Sequence, residues 1–404
     1  MNSLTLDKIY HAAFILKDVA RKTDLILAPS LCQNNSIYLK TENLQVTGSF
    51  KLRGAYYKIN QLDEEERKNG IIACSAGNHA QGVALAASKT NTPCTICMPD
   101  GAPISKVEAT RHYGAEIRLV EGTYDDAYEF AMKLQEENGG AFIHPFDDVE
   151  VIAGQGTIGL EILDQLSDVD AVIVPVGGGG LISGVAFAIK SLRPKCKIYG
   201  VQASAADSMC QSIKEKKKVC LSMVDTFADG IAVKNPGDLT YELIKKYVDE
   251  MITVTDDEIA AAILSLMEKE KLVAEGAGAV AVAAAMFNKI NLEGKKVVCL
   301  VSGGNIDVNI LSRVITRGLI MSGRRSTLTI ALEDKPGQLV GVSSVISRCG
   351  GNVVAVHHDS GDPNMAINSC YLKITLETKD RAQVDEIRKV LTDEGFQLVN
   401  DRAC

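Results

Sequence analysis

With 404 residues, 46% hydrophobic and 23% charged, the chain carries enough apolar material for about two or three domains, and it has no low-complexity tract that would argue for disorder. A formal net charge of −8 gives neither a nucleic acid nor an anionic membrane bulk electrostatic support. Eleven cysteines, an odd number scattered through apolar runs, make no disulfide framework and fit a reducing cytoplasm.

At the N-terminus Asp7 and Lys8 interrupt any early apolar run, so no secretory leader is expected. Leu6 to Thr23 has helical periodicity, with Ile9, Ala13, Leu16 and Ala20 on one stripe, and Asp24 to Leu39 reads as loop and strand. A helix is predicted from Gly48 to about Asp63, with Lys51 near its N-terminal end. Strands and helices then alternate: Ile71 to Cys74, Asn78 to Lys89, Thr95 to Met98, Ile104 to Tyr113, Glu116 to Val120, Tyr124 to Asn138 and Ala141 to His144. Cys94 and Cys97 have C-x-x-C spacing but lie in a strand-like run. No second cysteine or histidine pair follows at zinc-site spacing, so no metal is assigned there.

The alternation continues with a helix from Gly154 to Leu166, a strand around Val172, a helix from Leu181 to Leu192 and a strand from Ile198 to Gln202. Helices Asp256 to Lys269 and Glu275 to Asn288 and a strand Lys296 to Val301 complete it. Lys214 to Lys218 reads as a solvated basic turn. Ala277 to Phe287 falls short of the roughly 20 apolar residues a membrane span needs and reads as a buried helix. Helices between apolar strands predict an α/β fold with parallel sheets, and two open lobes would hold a ligand at their strand ends. Past Arg317, a linker is expected over Gly318 to Ser326, followed by a β-α-β-β-α-β order: Thr327 to Glu333, Leu339 to Arg348, Asn352 to Asp359, Ser369 to Glu377, Arg381 to Glu394 and Phe396 to Asn400. That order is the ferredoxin-like split unit.

Four stretches carry the chemistry. In Thr47-Gly48-Ser49-Phe50-Lys51-Leu52-Arg53-Gly54-Ala55, Lys51 is a candidate reactive amine, since a desolvated lysine attacks carbonyls, and Phe50 offers a flat face for a ring. Ser75-Ala76-Gly77-Asn78-His79-Ala80-Gln81-Gly82 follows a strand and opens a helix whose first amides favour a carboxylate. Gly177-Gly178-Gly179-Gly180 removes every Cβ from a strand-to-helix turn, so its amides can close around a phosphate. Ser302-Gly303-Gly304-Asn305 ends another strand in a polar loop.

In this order the four stretches resemble the pyridoxal-phosphate (PLP) enzymes of the threonine/serine dehydratase group, the threonine ammonia-lyases in particular, over essentially the whole chain. The resemblance implies PLP fold type II, with a large lobe over residues 1–41 and 147–317, a small lobe over 42–146, and the linker 318–326. Residues 327–404, with Glu333-Asp334-Lys335-Pro336-Gly337-Gln338-Leu339 at the first turn, resemble an amino-acid-sensing ACT domain. It further implies that Lys51 holds the cofactor and moves the substrate's α-proton. Phe50 and Asn78 contact the ring, Gly177, Gly178, Gly179, Gly180 and Leu181 hold the phosphate, and Ser302 faces the ring nitrogen. A hydroxyl there, in place of a carboxylate, leaves that nitrogen largely unprotonated and favours elimination. Ser75, Ala76, Gly77, Asn78 and His79 would hold the substrate, L-threonine with L-serine as a second, giving 2-oxobutanoate or pyruvate and ammonia. His79 is expected to be structural, because elimination needs proton removal from one face only.

The neighbouring readings are L-serine dehydratase and serine racemase. Racemases of this fold carry a hydroxyl where this chain has Ala76, which favours a lyase. A different class is an amino-acid sensor with an inactive lyase lobe, against which Lys51 and the glycine run stand. At the position of the group's divalent-cation site the chain has Val201 to Ser208, where uncharged Gln202 and Ser208 suit such an ion poorly; no divalent metal is predicted, and a monovalent ion stays open. Gln81, Tyr113 and Asn305 match polar positions of a nucleotide site, though Val46 stands where a base would help. An amino-acid or nucleotide effector therefore stays open, and His357-His358-Asp359-Ser360 departs from relatives that have arginine near its end. The resemblance also implies a cytoplasmic homo-oligomer, dimer or tetramer, in isoleucine biosynthesis or threonine catabolism.

Overall fold

The computed structural model describes residues 3–31, 35–361 and 366–399. The chain divides into two compact units, residues 1–307 and 308–404. The first unit contains two sheets. The six-stranded one runs in the order Leu25–Leu27, Ser36–Lys40, Lys296–Leu300, Ala171–Pro175, Lys197–Ala203, Glu250–Val254, and is parallel except for the first strand. The four-stranded one runs Glu116–Val120, Cys94–Pro99, Ile71–Cys74, Ala141–Phe142 and is wholly parallel. Strands buried on both faces read as continuous apolar runs, which is why Ala171–Pro175 and Ile71–Cys74 show no alternation.

Helix starts follow their capping chemistry. Asp148 accepts from the amides of Glu150 and Val151, so the helix predicted from Gly154 begins at Val149 and runs to Gln165. Thr255 and Glu258 form a capping box at the start of Asp256–Ser265, and the chain continues from there as a π-helical turn, Leu266–Glu270. Helices Val149–Gln165 and Gly180–Leu192 pack at glycine contacts: a Cβ on Gly184 would lie 2.6 Å from the Gly156 nitrogen. Gly276–Met286 is buried all round through Ala285 and has no polar face. Among the described residues no helix is long and apolar enough to cross a membrane.

The second unit contains helix Val308–Met321 and an antiparallel sheet in the order Asn352–Asp359, Ser369–Glu377, Arg325–Glu333, Gln397–Val399. Helices Gln338–Arg348 and Arg381–Asp393 cover one face, with Leu328, Ile330, Val345, Leu372, Ile374 and Ile387 in the core. Residues 318–326, read above as a linker, are instead the end of one helix and the start of a strand: the Arg324 amide donates to the Leu319 carbonyl across a turn at Gly323. Asn400, expected in the last strand, lies outside the described residues.

Candidate active site

A cavity of about 520 Å³ opens at the carboxyl ends of strands from both sheets of the first unit. Phe50, Lys51, Ser75 to His79, Gly177 to Leu181 and Ser302 all line it, so the residues named from the sequence for cofactor and substrate meet in one place, while Gln81, Tyr113 and Asn305 do not line it. Two of these segments, far apart in sequence, are joined to each other by backbone contacts. Ser49 bridges Gly303 as an isolated β-pair, the Phe50 amide donates to the Ser302 carbonyl at 3.1 Å, and the Gly304 amide donates to the Gly48 carbonyl at 2.9 Å.

Lys51 is the first residue of helix Lys51–Asn60, and its Nζ donates to the Pro145 carbonyl at 2.8 Å and lies 5.4 Å from the Phe50 ring centre. Its surface is partly open to the cavity but otherwise walled by protein. Burial pushes its ammonium down from 10.5 to about 8, against the charge of Glu275, so more of it is neutral near pH 7 than of a solvated lysine. Two residues on, Arg53 fixes the helix from below. It is 1% exposed and donates to both oxygens of Glu42 (each 2.8 Å) and to Glu161 (2.6 and 3.0 Å). Lys40 joins through Glu161 at 2.6 Å, and the Thr23 hydroxyl donates to Glu42 at 2.6 Å. Burial alone would raise the Glu42 carboxyl, but the Arg53 guanidinium outweighs it and holds it below the ordinary value.

Across the cavity, strand Ala171–Pro175 turns through the glycines into helix Gly180–Leu192, whose first amides have no intrahelical acceptor. A Cβ on Gly178 would overlap the Phe146 ring, and Gly179 has φ +98°, with Thr240 Cβ 2.8 Å from where its own Cβ would be. The Thr240 hydroxyl donates to the Gly178 carbonyl at 2.6 Å, which occupies that acceptor. The first amides of the helix remain as donors, which is what a phosphate requires. Together with an amine, a flat aromatic, an amide and a hydroxyl on the same walls, this donor set fits pyridoxal phosphate.

Asn78 sits in a chain of side-chain hydrogen bonds. Its Nδ2 donates to Glu275 Oε1 at 2.7 Å, and its Oδ1 accepts from Asn305 Nδ2, also at 2.7 Å. One Nδ2 hydrogen remains for a ligand. Asn305, matched above to a nucleotide position, also donates to the Thr47 carbonyl at 2.8 Å. The Ser302 hydroxyl faces the Ala277 carbonyl at 3.3 Å, a long bond that it can exchange for another partner. In the substrate loop the Gly77 amide donates to Ser75 Oγ at 3.2 Å. His79 is 4% exposed and its Nε2 donates to the Ile143 carbonyl at 2.8 Å; burial, then the Lys51 charge, lowers it to about 3. It is neutral, tied to backbone, and a poor base.

Sequence reasoning missed five participants. Glu275, read only as the start of a helix, is 5% exposed at the cavity wall; burial and then the Asp229 charge raise its carboxyl to about 7. Lys106 and Asp229, exposed charges by pattern, form an ion pair across the cavity mouth. Thr240 and Phe146, which shape the cradle, lie in segments without any motif. Only the glycine run, which demands bulky neighbours packed close, hinted at the last two.

Residues 16–303 match the family model described as pyridoxal-phosphate dependent enzyme. The chain is similar to an L-threonine ammonia-lyase of Thermotoga maritima, 51% identical over 98% of this chain and 99% of the relative. It is also similar to the processed form of threonine deaminase isoform 2 from Solanum lycopersicum, with 42% identity, a TM-score of 0.73 and coverage of 77% of this chain and 88% of that one. Maize serine racemase matches with 35% identity and a TM-score of 0.74 over 79% of this chain and 99% of its own. The lysine, the glycine turn and the two largely parallel sheets of fold type II are therefore those of a family, and the chain belongs to the pyridoxal-phosphate-dependent enzymes.

Proposed function

We propose that the protein is a lyase converting L-threonine to 2-oxobutanoate and ammonia, with L-serine as a poorer substrate giving pyruvate. The observation that carries this is the pairing, across one cavity, of the half-buried Lys51 amine with the Ser302 hydroxyl. The 51% identical threonine ammonia-lyase supports it. Bound pyridoxal phosphate supplies an aldehyde that joins an amine and a ring that draws electrons from the substrate's Cα.

The chain's own residues do the rest. The amides of Gly178 to Leu181 hold the phosphate, while Phe50 and Asn78 fix the ring. The amides of Ser75 to Asn78 orient the substrate carboxylate, for which the long Gly77 to Ser75 bond must give way. Lys51 Nζ, neutral in part because of burial, takes the α-proton as the β-hydroxyl leaves as water; hydrolysis then returns one water and releases ammonia. Ala76 has no proton to deliver to the opposite face of Cα, which disfavours racemisation. Serine lacks one methyl of threonine, a difference that discriminates by about 1 to 3 kcal/mol.

The same reading takes residues 42–146 as a small lobe inserted in a large one and 327–404 as an ACT-like module for an amino-acid effector, in a cytoplasmic homo-oligomer. The test is product analysis with the full-length, cofactor-loaded enzyme. Threonine should yield 2-oxobutanoate and ammonia in equal amounts, and Lys51→Ala should lower kcat by at least about 100-fold. Activity that survives Lys51→Ala, or D-serine formed from L-serine faster than pyruvate, would overturn the proposal.

A further inference from the structure

In the second unit, three adjacent strands bring one oxygen, one nitrogen and one sulfur donor together. Leu332 pairs with Cys370 and His358 with Leu372, and paired residues of antiparallel strands point to the same face. Cys370 and Leu372, two apart, share that face. Asp334 follows Leu332 by two residues, with its amide donating to the Asn368 carbonyl at 2.8 Å. One donor atom each from Asp334, His358 and Cys370 lies within 4.8 Å of the other two, and among the described residues no other such trio meets.

His358 Nε2 and Asp334 Oδ1 are 3.4 Å apart, beyond the usual 2.7 to 3.2 Å of an N–H···O bond. Two ligands bound at roughly 2.0 to 2.1 Å to one tetrahedral ion lie about 3.3 to 3.4 Å apart. Cys370 is 2% exposed while the other two side chains are about half exposed, so the sulfur forms a floor and the fourth position faces solvent. The backbone ladder fixes the three positions without an ion. The geometry points to a binding site for a borderline, thiophilic divalent cation of the zinc or cobalt class at Asp334, His358 and Cys370, closed by one water. A mixed sulfur, nitrogen and oxygen set selects such ions over magnesium or calcium. Binding exchanges the Cys370 thiol proton for the metal; the proton goes to solvent and no electron is transferred. The inference concerns the second unit alone and stands apart from the chemistry in the cavity.

The test is titration of the chelator-washed, cofactor-loaded, full-length enzyme with Co²⁺. Saturable uptake of one ion per chain is expected, with the intense visible bands of tetrahedral cobalt, a sulfur-to-cobalt charge-transfer band, and loss of both on adding Zn²⁺. Cys370→Ser should abolish the charge-transfer band. Because that side chain is in the core, the exposed variants His358→Gln and Asp334→Asn carry the test independently. Each should weaken binding by more than the about 10- to 100-fold typical of losing a residue that only hydrogen-bonds a ligand. The weak spectrum of octahedral cobalt, or affinity unchanged in His358→Gln and Asp334→Asn, would overturn the site.

Discussion

Burial and the charge of Glu275 together set how readily Lys51 gives up its proton. Desolvation lowers its affinity for a proton, while the Glu275 carboxylate opposes that. In the cofactor-free enzyme, the rate at which an amine-modifying reagent labels Lys51, located by peptide mapping, should rise with an inflection near pH 8. Glu275, held at about 7, is mostly charged at that pH. Glu275→Gln removes the opposing charge and should move the inflection further down. An upward move, or none, would mean that the carboxylate is not felt at the amine. His79 gives the contrast: burial lowers its proton affinity too, but it is closed off from solvent and its single N–H is spent on the Ile143 carbonyl. Burial thus leaves one residue chemically available and the other inert.

At the scale of elements, the helices beneath the cavity approach so closely that their glycines are structural necessities. A Cβ on Gly184 would run into the Ile152 carbonyl and the Gly156 nitrogen. Gly184→Ala should therefore cost about 1 to 3 kcal/mol of unfolding free energy by overpacking, read as a lower urea midpoint at unchanged slope. A change within about 0.5 kcal/mol would show that the pair can separate without strain. Elements of this kind were legible in the sequence where periodicity or an apolar run was strong: Asn78–Lys89, Tyr124–Asn138, Ile71–Cys74 and Ser369–Glu377 begin and end where the pattern says. Helix Asp238–Tyr247 was not, because its start depends on Asp147, 91 residues upstream, whose carboxylate accepts from the Asp238 amide. The cavity residues on glycine-rich loops could be named because glycine runs have few other uses. Glu275 could not, because a carboxylate before an alanine-rich helix reads as an ordinary exposed cap until its burial is seen.

For the molecule as a whole, every residue lining the cavity precedes Asp307, and the second unit has its own core. A chain ending at Met321 should keep the cofactor's absorption band and deaminate threonine within about tenfold of the full-length rate, a barrier change under about 1.4 kcal/mol. It should lose whatever rate change isoleucine or valine produces in the full chain. An effector response that persists after truncation would place the sensing surface in the first unit. Within that unit, the Arg53 cluster binds together side chains that start as far apart as Thr23 and Glu161. Any arrangement that lacks one partner leaves a charge stranded away from water, at a cost of about 3 to 5 kcal/mol. The helix that carries Lys51 can thus settle only when all its counter-charges have arrived, which makes the cluster an assembly checkpoint for that wall of the cavity.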